Sequence, residues 1–147
     1  MSSASLNKAD LKRLNNKLQK LKKYSEQELS KELGFSASQM QLQMVRSAPV
    51  AQSGLKNSIS LDRTGKNSIG IKAAKNYAPY VEFGTGNKVD LSDLKGLGIP
   101  ESYAMQFKGK GIREVNLPAR PFFFSSVRKE LPKMLSRIEN TLKKLTR

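Results

Sequence analysis

Leucine recurs at positions 11, 14, 18 and 21, and spacings of three, four and three draw one apolar stripe along a helix. Lysine and arginine fill most positions between them, so the pattern predicts an amphipathic helix over residues 8–33. Asn7 is its expected N-cap with Asp10 three positions on, and Gly34 its expected stop. Continued as heptads, the stripe would next fall on Ser25 and Glu28, so the seam ends after two repeats. That is too short for an independent coiled coil, and the helix is expected to lie on a sheet or on another subunit. Beyond Gly34, Ser36 can cap a second helical stretch carrying Met40, Met44 and Val45, which Pro49 ends. Residues 1–48 thus form an N-terminal helical region.

The period then changes. Ile59 and Leu61 alternate with polar residues, as do Ile69 and Ile71, on either side of the turn Asp62-Arg63-Thr64-Gly65-Lys66. Two alternating runs around a glycine-containing turn predict a β-hairpin. Residues 77–83, YAPYVEF, read as a further extended segment, entered through Pro79 and left through Gly84-Thr85-Gly86, which completes a hairpin-and-strand region over 54–85. Residues 86–118 hold five glycines and two prolines and read as a long loop insertion. A short helical turn is expected at 91–97, and a returning strand at Ile112, Val115 and Leu117. In 119–147, Phe124, Val127, Leu131, Leu135, Ile138, Leu142 and Leu145 recur at helical spacing. Pro121 suits the first turn of this C-terminal helix, whereas Pro132 should kink or break it near 128–131. The expected fold is a single α+β domain over 1–147, a short, mostly antiparallel sheet packed by long N- and C-terminal helices.

Composition narrows the function. The 147 residues include no His, no Cys and no Trp. A Ser-His-Asp triad, a cysteine nucleophile, a zinc site of the usual nitrogen and sulfur ligands and a disulfide are all excluded. No apolar run approaches the roughly 20 residues of a membrane span, and MSSASLNKADLKRLNN lacks the apolar core of a secretory signal. No membrane partner is expected, and synthesis and assembly in a cytoplasm fit. The net charge is +15. Residues 1–48 carry nine basic and four acidic groups, residues 49–118 ten and six, and residues 119–147 eight and two. So spread an excess argues against a dedicated basic arm. It suits attraction to nucleic acid, an acidic protein surface, or plain solvated helix faces.

Catalytic options are few. Glu26 and Glu28 point in different directions on one helix, and Asp90 and Asp93 lack the spacing of a calcium loop. Asp62 and Glu82 could converge around magnesium, but nothing beside them supports that chemistry. Gly84-Thr85-Gly86 and Gly109-Lys110-Gly111 match no phosphate-binding pattern and read as turns. Lys108, Lys110 and Arg113 beside Phe107 are candidate contacts to DNA or a partner, or else a basic loop. No enzyme activity, cofactor or metal is expected.

Three segments taken in order are more specific: Gly54-Leu55-Lys56-Asn57-Ser58-Ile59, the run Tyr77 to Thr85, and Ala119-Arg120-Pro121-Phe122 before the last helix. Together, over roughly residues 40–145, the chain resembles the head–tail joining family of long-tailed bacteriophages, the neck and tail-completion proteins. Tyr77, Tyr80, Glu82, Phe83, Gly84, Arg120, Pro121 and Phe122 are its candidate interface or structural residues. The resemblance implies a non-enzymatic virion protein, a sixfold ring subunit that joins the DNA-filled head to the tail. Its partners would be further copies of itself, head-closure or portal-side proteins, the tail tube or tail terminator, and DNA passing non-specifically through the channel. An ion pair between Arg120 and Glu82 is expected to pin the last helix to the strand. The alternative is a basic nucleic-acid-binding protein. The long 86–118 insertion and Pro132 depart from the family's pattern.

Overall fold

The structure, a computed structural model, describes residues 7–51, 53–106 and 117–147. In order it comprises α1 (Lys8–Lys23), a π-helical segment (Tyr24–Glu28), α2 (Leu29–Ser47), α3 (Ser53–Asn57), β1 (Ile59–Gly65) and β2 (Ser68–Ala73). There follow α4 (Ala78–Phe83), two 3-10 turns (Gly86–Lys88 and Ser92–Leu94), α5 (Glu101–Met105) and α6 (Phe124–Thr146). The fold is α+β, with a two-stranded antiparallel sheet between long N- and C-terminal helices.

Asn7 caps α1 as expected, its side chain accepting the Ala9 N–H at 3.0 Å. The helix does not stop at Gly34. It runs on to Ser47, and Ser36, expected as a cap, is instead buried within α2. The apolar stripe also continues, by a route that heptad counting cannot follow. Tyr24 is buried, and the Leu29 N–H donates to the Tyr24 carbonyl, five positions back rather than four. That extra residue carries the apolar face from buried Tyr24 to half-buried Leu29, past Glu28, and on to buried Ala37, Met40 and Met44. Gly34 then lies beside the hairpin, where a Cβ would come 3.5 Å from the Arg63 guanidinium.

The hairpin forms as predicted, pairing Ile59 with Ala73 and Leu61 with Ile71, with an irregularity between Arg63 and Gly65. It packs on α2. Gln41 of α2 donates to the Ile59 carbonyl at 3.0 Å, tying helix to strand.

Residues 77–83 form a helix, not the expected strand. Proline's fixed φ and missing N–H suit the first helical turn, where Pro79 sits. The buried positions Ala78 and Glu82 are four apart, a helical and not an alternating spacing. The helical turn foreseen in 91–97 is the 3-10 turn Ser92–Leu94. Ile112 and Val115 of the expected return strand lie outside the described residues, and Leu117 is exposed and in no strand.

The last helix begins at Phe124, so Pro121 precedes it rather than occupying its first turn. Pro132 lies inside the helix, which continues through it to Thr146. Packing against α2 holds this stretch helical despite the lost backbone donor. Between the two helices sits a polar knot. Arg137 meets Glu32 at 2.5 Å, Ser36 at 2.8 Å and the buried Glu130 at 2.7 Å, while its guanidinium stacks over Phe35. A planar fork with several donors can serve all three oxygens, which one ammonium cannot. Arg137→Lys should therefore cost about 2 kcal/mol, read as a lower denaturant midpoint at unchanged slope.

Candidate functional site

The three segments that carry the family resemblance meet in one place. Leu55 and Ile59 from the first, Ala78 from the second and Phe122 from the third are buried in a single cluster with Met40, Met44 and Ala48. Around it, Tyr77, Val81 and Phe123 pack from the same segments. Ser58 closes the first segment locally, its hydroxyl donating to the Leu55 carbonyl at 2.7 Å.

The second and third segments, far apart in the chain, are also stitched together by hydrogen bonds. The Arg120 N–H donates to the Val81 carbonyl at 2.8 Å, and the Thr85 N–H to the Leu117 carbonyl at 2.9 Å. In return the Leu117 N–H donates to the Thr85 hydroxyl at 2.9 Å. Gly84 makes the approach possible. Its φ of 74° and ψ of −171° fall in a region left almost wholly to glycine. A Cβ there would lie 2.7 Å from the Ala119 nitrogen and from the carbonyl oxygens of Leu117 and Lys88.

Glu82 is the centre of the arrangement. Its Oε2 accepts the Phe122 and Phe123 N–H groups at 2.7 and 2.8 Å, and its Oε1 accepts the Phe124 N–H at 2.9 Å. These are donors that a helix start leaves without intrahelical partners, and Phe123 at the cap position supplies no side-chain acceptor of its own. A carboxylate from forty positions earlier therefore caps α6 and meets the positive end of its dipole. Burial raises the Glu82 carboxyl above its ordinary value, the three N–H groups pull it back down, and the charge of Asp93 adds to the rise.

The expected ion pair with Arg120 does not form; Arg120 pins the segment through its backbone, and its side chain is exposed. Three N–H groups at contact distance satisfy a buried carboxylate without desolvating a guanidinium as well. Of the other predicted site residues, Tyr77 is half-buried, Phe83 and Phe122 are buried, and Tyr80 and Pro121 are exposed. Phe83 and Leu94 form a second small cluster, onto which Val89, Leu91 and Ile99 fold the first part of the 86–118 insertion. Arg128 of α6 holds the same insertion by donating to the carbonyls of Ser92, Asp93 and Lys95. Lys108, Lys110 and Arg113 lie outside the described residues.

Chemically, Glu82 has its oxygens taken up by backbone donors, and Asp62 is exposed on β1. Among the described residues, no three acidic side chains gather to hold a metal ion, and no helix is long and apolar enough to cross a membrane. What the arrangement does is fasten α4, the Gly84 turn and the start of α6 into one rigid unit. Of the residues singled out in the sequence, Glu82, Gly84, Arg120 and Phe122 lie in this unit, whereas Arg137, Glu130 and Glu32 were not singled out. The seven-residue spacing of Glu130 and Arg137 places both on one face of α6, the one signal available.

Comparison with known proteins finds a match over part of the chain. Residues 12–84 match the HK97-gp10-like family, described as "Bacteriophage HK97-gp10, putative tail-component". The match begins on the polar face of α1 and ends at Gly84, so it reaches further towards the N-terminus than the three segments do and leaves out Ala119–Phe122. No curated protein and no solved structure matches the chain. Over residues 12–84, just under half of its length, the chain is similar to the HK97-gp10-like family of bacteriophage tail components.

Proposed function

We propose that this chain is a structural subunit of the phage neck, forming a ring that joins the DNA-filled head to the tail. The supporting observation is the match of residues 12–84 to a tail-component family, together with the convergence of the three neck-type segments on one core. A ring needs two different faces on each subunit that fit one another. One candidate face is the shallow groove lined by Pro49, Tyr80, Leu117, Pro118 and Arg120, where exposed apolar surface lies directly over the rigid unit. Rigid backing lets such a face meet its neighbour with little ordering cost. In this reading the ring is sixfold, its neighbours are the head-closure and tail-tube or tail-terminator proteins, and DNA crosses its channel without sequence readout. The role is mechanical, not catalytic, and it places the protein in the virion.

The test is a phage lacking this protein, viewed by negative-stain microscopy. Full heads and separate tails, restored to whole virions by the wild-type chain supplied in trans, are expected. Normal virions without the protein would reject the neck role. Tight duplex binding by the purified chain with a steep salt dependence would favour the nucleic-acid-binding alternative instead.

A further inference from the structure

α1 carries a surface that the rest of the fold leaves uncovered. None of its residues is buried, although it packs against α6. Leu11, Leu14 and Leu18 are 47%, 52% and 54% exposed, an uncovered stripe at a spacing of three and four. So narrow a stripe is the seam of helix–helix pairing rather than the wide apolar face of a helix lying in a membrane surface. Seven basic side chains share the same sixteen residues, against Asp10 alone.

Charge decides what can cover it. A second copy would lay one strongly cationic helix along another, a like-charge juxtaposition that opposes docking. Nor does the chain offer a cluster of acids to a neighbour's α1. Among the described residues Glu82 and Glu130 are buried, and Asp10, Glu32, Asp93 and Glu139 are paired with arginine or lysine of their own chain. Of the remaining described acids, Glu26 and Glu28 lie two apart on the π-helical segment, and Asp62, Asp90 and Glu101 lie apart from one another in the chain.

We infer that α1 is a docking helix for another protein, and that its occupant is an amphipathic helix with an apolar seam flanked by Asp or Glu. The leucines bury against the partner's seam, and the flanking lysines and Arg13 meet its carboxylates, which fixes partner choice as flanking charges do in paired helices. This inference goes beyond the neck reading and does not rest on it.

The experiment uses the full chain and designed, fluorescently labelled helical peptides with leucine at heptad seam positions. One peptide carries glutamate at the flanking positions, the other lysine. Fluorescence anisotropy should show binding of the glutamate peptide only. The triple variant Leu11→Ser, Leu14→Ser, Leu18→Ser should bind it at least about tenfold more weakly. Because α1 buries none of its residues fully, that variant should stay folded and lose only a few degrees of melting temperature, so weaker binding does not report unfolding.

The proposal is overturned if neither peptide binds, if the lysine peptide binds as well, or if the triple variant binds undiminished. It is also overturned if the leucines matter more for binding phosphatidylglycerol vesicles or duplex DNA than for the peptide. So it is, too, if sedimentation shows the chain alone self-associating in a way the triple variant abolishes. A phage that assembles normally without this protein would remove the neck role and leave the peptide result standing, so the two failures are separable.

Discussion

Replacing Gly84 with alanine should lower stability by about 3–5 kcal/mol, the sum of a backbone region costing about 1–3 kcal/mol for other residues and an overpacking term of similar size. The three atoms that a Cβ would strike at 2.7 Å all belong to backbone, so none can swing aside as a side-chain tip would. Relief requires the Leu117–Ala119 segment to move off, which breaks the Thr85–Leu117 and Arg120–Val81 hydrogen bonds. For a chain of this length the loss corresponds to a melting temperature lower by roughly 10 °C, measurable by circular dichroism. If Gly84→Ala melts with the wild type, the close approach of the two segments is not a constraint on the fold. Supplied in trans to the phage lacking this protein, the same variant should restore fewer virions than the wild type.

The second large effect is at Glu82. Glu82→Ala removes the acceptor of three N–H groups at once and leaves the one on buried Phe122 without a partner. A buried donor left unmade costs about 1–3 kcal/mol and the loss of a charged acceptor at a helix start adds to it, so about 3–4 kcal/mol is expected. Glu82→Gln keeps the shape but turns an NH2 group towards N–H donors, and should fall near half that loss. The pH dependence has a definite sign. The folded carboxyl sits above its ordinary value, so the folded chain holds a proton there more tightly than the unfolded chain does. Its contribution to stability is therefore largest in acid and declines as pH rises through the folded value. Between about pH 4 and 8, the melting temperature of the wild type relative to Glu82→Gln should fall and then level off. A difference that instead grows with pH would mean that the N–H groups outweigh burial.

Parts of this arrangement were legible in the sequence and parts were not, for identifiable reasons. The hairpin was legible because Ile59, Leu61, Ile69 and Ile71 alternate around a glycine turn, and both strands show that register. The C-terminal helix was legible from its leucines, but its start was misplaced. Pro121 signals a first turn only if the cap lies beside it in sequence, whereas the cap here comes from Glu82. YAPYVEF misled because aromatic and β-branched residues favour strands in general, while among the described residues no strand beyond β1 and β2 lies at hand to pair with it. The grouping of Tyr77–Thr85 with Ala119–Phe122 was recognisable as a pattern, yet the reason for it, a carboxylate meeting three amides, depends on a contact between residues forty positions apart. Local periodicity carries no record of such a contact. Arg137 was hidden in the same way, since its partner Glu32 is 105 positions away.

The π-helical segment at Tyr24–Glu28 has a consequence for α1 that lies outside energetics. One surplus residue in a helix turns everything on its far side by about 100° around the axis. The compass bearing of Leu11, Leu14 and Leu18 is thus set in part by a residue count at a distant joint, beside the packing of α1 on α6. Deleting a single position between 24 and 28 so that the joint reverts to ordinary α-helix would leave Met40, Met44 and Phe122 where they are. It would rotate the outboard leucines about a quarter-turn or slightly more. The joint works as a phase dial, setting which way the outer face of α1 looks.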